Sequence, residues 1–186
     1  KARFELGEMN PTHPWSEIPY SVVDCPKHKE LALKMARESL VLLQNKNNLL
    51  PLNRQMKIAV IGPNANDSVM QWGNYNGFPS HTVTLLEGIR AKLPQAQIIY
   101  ELICGLTDAI HSKDNTAQKS VLNEQALMDK VKDADVIIFA GGISPQLEGE
   151  EMDVSVTGFK GGDRTDIELP AIQREVLSLL KNNGKK

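Results

Sequence analysis

Cysteine is scarce. Cys25 and Cys104 are the only two in 186 residues, and they lie far apart with no CxxC or His-rich spacing around them. That pattern excludes a disulfide scaffold and a zinc-type ligand set, and both side chains read as ordinary buried or idle thiols. A surplus of positive charge is missing too: 21 Lys+Arg stand against 23 Asp+Glu, a formal net charge of −2. Nucleic acid and acidic membranes are therefore not expected partners, because both need a basic excess to neutralise phosphate. No apolar run approaches the roughly 18 residues that span a bilayer. Nucleotide and hydrolase fingerprints are absent as well. Ala140-Gly141-Gly142 and Gly62-Pro63-Asn64 are not GxGxxG turns, and there is no P-loop, HExxH or GxSxG. The four histidines, His13, His28, His81 and His111, are scattered. No metal and no cofactor is expected. The opening segment, Lys1 to Met9, has neither an initiator Met nor an apolar h-region, and Gly184-Lys185-Lys186 stands where another strand would begin. The chain is expected to be a fragment at both ends.

What remains is globular: 41% of the residues are hydrophobic and 24% charged, and the length suits one domain or a little more. Pro11, Pro14, Pro19 and Pro26, with Trp15 and Tyr20 among them, exclude helix and suggest an extended interdomain connector. Asp24 and Pro26 open a predicted helix through Gln44, with Leu33, Ala36, Leu40 and Leu43 on one face. From Lys57 onward the pattern alternates. Ile58-Ala59-Val60-Ile61 reads as a strand buried on both faces, and Ile98-Ile99-Tyr100 and Val136 to Ala140 read as further strands. Thr82 to Leu93, Val121 to Val131 and Pro170 to Leu180 read as the helices between and after them. The order β-α-β-α-β-α predicts an α/β fold: a partial, doubly wound, mostly parallel sheet in a flavodoxin-like α/β sandwich, with ligands at the carboxyl ends of the strands.

Two loops then merit inspection, those after Ile61 and after Ala140, whose strands are expected to be central. Gly62 to Ser80 mixes aromatics and amides, among them Trp72, Asn74, Tyr75 and Asn76. Rings stack on the C–H faces of sugars and amides pair with hydroxyls, which suits a carbohydrate. The plain alternative is a surface loop whose Trp72 and Tyr75 tuck into the core while its Asn residues form turns. The second loop places Glu148, Glu150 and Glu151 within four positions, followed by Asp153, Gly158, Gly161, Gly162, Asp163 and Arg164. Crowded carboxylates repel, and one that keeps its proton is what a general acid requires. The alternative is a hydrated acidic loop without a role. Flanking glycines give the segment freedom to fold back over a neighbouring site.

The ordered series Leu50-Pro51-Leu52, Lys57 to Ala65, Gly73-Asn74-Tyr75-Asn76-Gly77, Thr84 to Ile89, Ala134-Asp135-Val136 and Gly162-Asp163-Arg164 with Leu169-Pro170 resembles the second domain of glycoside hydrolase family 3. Gly141 to Ser144 and Glu148 to Glu151 are most like its β-xylosidase branch. The resemblance implies a barrel domain carrying a nucleophilic Asp, followed by an α/β sandwich that lends the acid/base carboxylate. Residues 1–27 then correspond to the end of the barrel and the linker, and 28–186 to the first part of the sandwich. The implied activity is retaining, exo-acting hydrolysis of terminal β-D-xylosides, with a β-glucosidase of the same family or a noncatalytic carbohydrate-binding module as alternatives. No nucleophile lies in this window, so the fragment alone is expected to be inactive. The acid/base candidates are Glu150, then Glu148, then Glu151; Trp72, Tyr75 and Asn76 are candidate substrate contacts. Asp163 and Arg164 are expected to pair with each other or to brace the loop. The implied partners are a small carbohydrate and the missing barrel, and the implied location is periplasmic or secreted.

Overall fold

The structure, a computed structural model, describes residues 1–13, 15–111, 117–119 and 122–184. It falls into two compact units, Lys1–Leu49 and Leu50–Lys186. In the first unit a single helical turn, α1 (Ala2–Glu5), precedes the proline-rich connector, and α2 (Pro26–Ser39) follows it. As the prolines require, no α-helix forms between them among the described residues; Pro14 lies outside that set. Pro26 occupies the first turn of α2, where its missing N–H costs nothing. The helix stops five residues short of the expected Gln44. Ser39 Oγ donates to the Ala36 carbonyl at 3.0 Å, and Leu40 turns extended at ψ 131. A serine that bonds back onto the preceding turn competes with the helical ladder, and the Leu40-Val41-Leu42-Leu43 run serves an extended backbone equally well.

The second unit is built on β1 (Lys57–Ile61), α3 (Leu85–Lys92), β2 (Gln97–Glu101), α4 (Glu124–Val131), β5 (Val136–Phe139) and α5 (Ala171–Asn182). Two antiparallel pairs complete it: β3 (Ala109–His111) with β4 (Ala117–Lys119), and β6 (Phe159–Lys160) with β7 (Asp163–Arg164). All three parallel strands anticipated from the apolar runs are present, in the order β2-β1-β5. Only β1 is central among the described residues; β5, also expected at the centre, flanks it on one side. Ile58 pairs with both Ile98 and Val136, so the ladders on the two sides of β1 share one register.

Alternation along β1 divides the core in two. Ile58 and Val60 pack with Ala65, Leu86 of α3 and Val136 on one face. Ala59 and Ile61 pack with Leu127 and Val131 of α4, Ile172, Val176 and Leu180 of α5, and Cys104 on the other. Helices on both faces are what a strand apolar at every position demands. Thr84 caps α3 in a reciprocal capping box with Glu87, which is why that helix begins at Leu85 and not at Thr82. Asn123 caps α4 by accepting from the Ala126 N–H at 2.9 Å. Val121, the expected start of that helix, and Lys185-Lys186 lie outside the described residues.

Candidate active site

The loops that leave β1 and β5 are locked together at the strand ends. Gly62 has φ +105, and a Cβ there would stand 2.6 Å from the Ala140 carbonyl oxygen, so only glycine admits the crossing. The Asn64 N–H donates to Ala140 O at 3.0 Å and its side-chain Nδ2 to Ile143 O at 3.4 Å. From below, the fully buried Gln173 of α5 grips Gly142 in both directions. Its Oε1 accepts from the Gly142 N–H at 2.8 Å, while Nε2 donates to Gly142 O and to Leu106 O, each at 2.7 Å. Sequence reasoning missed Gln173. The available signal was an amide inside the apolar stripe formed with Val176 and Leu180, a polar group that burial tolerates only when it is fully paired.

Beyond Asn64 the first loop folds onto itself. Asp67 Oδ1 accepts from the Val69 N–H at 2.8 Å, and Asn66 Oδ1 accepts from Thr84 Oγ1 at 2.9 Å. Trp72 is half-buried: its indole N–H donates to Thr82 Oγ1 at 2.8 Å, and Phe78 meets it edge to face at 5.6 Å between ring centroids. Tyr75 does not tuck in. It is 88% exposed, and its hydroxyl donates to Glu150 Oε2. The Glu150 carboxylate holds the Tyr75 phenol above its usual pKa, with slight desolvation as the lesser cause. Next to it, Asn74 Nδ2 donates to the Glu148 carbonyl at 3.3 Å. Asn76 is exposed and donates to the adjacent Gly77 carbonyl at 2.9 Å.

The acidic loop is more built than a stretch of charge suggests. Leu147, Val156 and Phe159 form a small apolar cluster of their own, backed by Leu106, Ile143 and Val154. Gly149 N–H donates to Gly162 O at 3.1 Å and Met152 N–H to Gly161 O at 3.2 Å. Gly162, at φ +90, approaches so closely that a Cβ would lie 2.0 Å from Gly149 O. Arg164 does brace this loop, but without pairing with its neighbour Asp163: it donates to Gly158 O at 3.0 Å and to Asp166 Oδ1 at 2.7 Å, and its guanidinium lies 4.5 Å from the centre of the Phe159 ring. Antiparallel pairing sets Arg164 opposite Phe159, which carries the guanidinium to that ring. Glu148, Glu150 and Glu151 are all exposed. Of these three, only Glu150 has a hydrogen-bond partner for its carboxylate among the described residues. No group of three or more His, Cys, Asp or Glu side chains is placed to hold a metal ion among those residues. The two loops singled out by the sequence thus meet through Asn74 and Tyr75, bringing one carboxyl and one phenol together beyond the carboxyl ends of β1 and β5.

Residues 40–186 match the glycosyl hydrolase family 3 C-terminal domain. The whole chain aligns at 30% identity with a xylan 1,4-beta-xylosidase of Xylanibacter ruminicola, spanning 37% of that protein. Over 85% of its length it is 30% identical to a periplasmic beta-glucosidase of Salmonella typhimurium, spanning 21% of it. A solved structure of a GH3 exo-beta-xylosidase, XlnD, in complex with a xylobiose aziridine activity-based probe superposes with a TM-score of 0.71 at 30% identity, covering 95% of this chain and 20% of that one. The chain therefore spans well under half the length of the relatives it matches. With the α/β fold and an ordered run of matching segments, it belongs to glycoside hydrolase family 3, as that family's C-terminal domain.

Proposed function

We propose that this chain supplies the general acid/base of a retaining, exo-acting β-glycosidase that removes terminal β-D-xylosyl groups from xylo-oligosaccharides, with Glu150 in that role. The observation that carries the choice is the hydrogen bond from Tyr75, which orients Glu150 while Glu148 and Glu151 have no such partner among the described residues. Residues 1–27 then belong to the end of a preceding barrel and its linker, 28–186 to the sandwich, and the nucleophilic Asp to the barrel. In the first step protonated Glu150 gives its proton to the glycosidic oxygen as the nucleophile carboxylate attacks the anomeric carbon, leaving a glycosyl-enzyme. In the second, the Glu150 carboxylate takes a proton from water, which displaces the nucleophile and frees the sugar. The two carboxyls of such a pair stand about 5–5.5 Å apart, so 186 residues carrying only one of them are inactive alone. The names of the relatives support a xylosidase first. The Salmonella protein, called a periplasmic beta-glucosidase, favours a glucosidase as the second reading and a periplasmic or secreted location.

The test is Glu150→Ala in the complete enzyme. Hydrolysis of xylosides with poor leaving groups is expected to fall by about 10²–10⁴-fold, the worth of a positioned general acid. Activated aryl xylosides suffer less, and azide rescues the second step. An unchanged rate removes Glu150 from the mechanism. Calorimetry on the isolated chain with xylose and xylotriose is expected to show no binding; tight binding would favour a noncatalytic module built on Trp72 and Tyr75.

A further inference from the structure

We infer that Tyr75 is a positioning residue for Glu150, selecting one carboxyl among three and holding it in a fixed orientation, and is not a wall of the sugar pocket. The inference rests on Glu150 being the acid/base. Three exposed glutamates within four positions present a problem of choice, because each side chain has several rotamers and confining one costs up to about 2 kcal/mol. A donor supplied from another segment settles which carboxyl is confined. Tyr75 Oη is that donor.

Two features of the backbone agree. Tyr75 itself sits at φ +55, in the left-handed region, where a bulky residue is unfavourable by about 1–2 kcal/mol. An aromatic that merely filled space would sit in the common region with its ring packed inside; here the ring projects outward and its hydroxyl ends on the acidic loop. The neighbouring residue makes a second tie, Asn74 Nδ2 to the Glu148 carbonyl at 3.3 Å. Consecutive residues of one loop thus hold the backbone of Glu148 and the side chain of Glu150, which docks the loops in a single register. The Trp72 indole N–H on Thr82 and the edge of Phe78 brace the base of that loop, so Asn74 and Tyr75 project from a tethered turn.

A phenol also suits a group that changes protonation twice per turnover. Towards the Glu150 carboxylate its O–H donates; towards the protonated acid its oxygen accepts. A lysine or arginine in its place could only donate and would tie the carboxyl to its charged form.

The experiment compares Tyr75→Phe with Glu150→Gln in the complete enzyme. Tyr75→Phe is expected to lower kcat on poor leaving groups about 10- to 100-fold, the scale of a misplaced catalytic group, with KM within about twofold. A raised KM with kcat intact would instead make Tyr75 a sugar contact and overturn the inference. So would kcat and KM identical to the parent while Glu150→Gln is inactive. If Glu150→Gln is itself fully active, the acid/base reading fails and the positioning role fails with it. Ultraviolet titration of the 186-residue chain reports the contact separately: one phenol titrates at lower pH in Glu150→Gln, and that transition is absent from Tyr75→Phe.

Discussion

Strand β1 and the acidic loop from Gly141 to Leu169 are held by opposite means. In β1 every side chain from Ile58 to Ile61 is buried, hydrogen-bond ladders run along both edges, and each face has its own apolar cluster. The acidic loop has one small cluster, a two-residue antiparallel pair, the close approach of Gly162 to Gly149, and single donors supplied by Arg164, Asn74 and Tyr75. Stability resides where contacts are many and individually replaceable. The candidate chemistry resides where contacts are few and each sets a direction. This division leaves one carboxyl, that of Glu150, in water yet oriented, which a uniformly packed segment could not do.

The division can be broken by mutation, beginning with the strand. Ile61→Ala removes a fully buried side chain between α4 and α5 and is expected to cost about 2–5 kcal/mol, read as a lowered urea midpoint with an unchanged slope. A loss below about 1 kcal/mol would show that the core rearranges freely. Gln173→Leu lies on the border between the two regions. It keeps the apolar volume but strips partners from Gly142 and Leu106, so a loss of about 1–3 kcal/mol is expected, and activity of the complete enzyme falls because the loop after β5 loses its grip. Full activity with reduced stability would assign Gln173 to the core alone. The smallest effect at neutral pH concerns Cys104, whose thiol is pushed up to about 11 by burial. Folding is supported fully below pH 9.0, the ordinary thiol value, and that support is lost as pH climbs towards about 11, because the unfolded chain gives up the proton first. At pH 8 a thiol reagent should therefore reach Cys104 only in denaturant; rapid reaction in the native protein would contradict its burial.

Legibility followed the same line. The runs at Ile58, Ile98 and Val136 were readable because a short, continuous apolar run marks a strand without knowledge of its partners. The run at Val136 to Ala140 looks the strongest on paper, yet β1 is the most buried, because strand order depends on where the chain crosses and not on composition. The end of α2 was misplaced by five residues because apolar spacing continues through Leu43 while Ser39 redirects the backbone. The short β6 and β7 pair was not foreseen: two residues per strand carry no periodicity. Among the site residues, the acidic cluster and the Trp72 loop were visible as chemistry, but no local pattern distinguishes Glu150 from Glu148.

The amino-acid order alone determined the α/β alternation, the apolar strands, the absence of metal-ligand spacing and the family, since each is written in neighbouring residues or in their succession. Tertiary structure alone decided that Tyr75 faces Glu150, that Asn74 holds Glu148, and that Gln173 secures Gly142. Those pairs are separated by 75, 74 and 31 positions. Only tertiary folding, which sets the loops after β1 and β5 side by side and packs α5 beneath them, brings such partners within reach of a hydrogen bond.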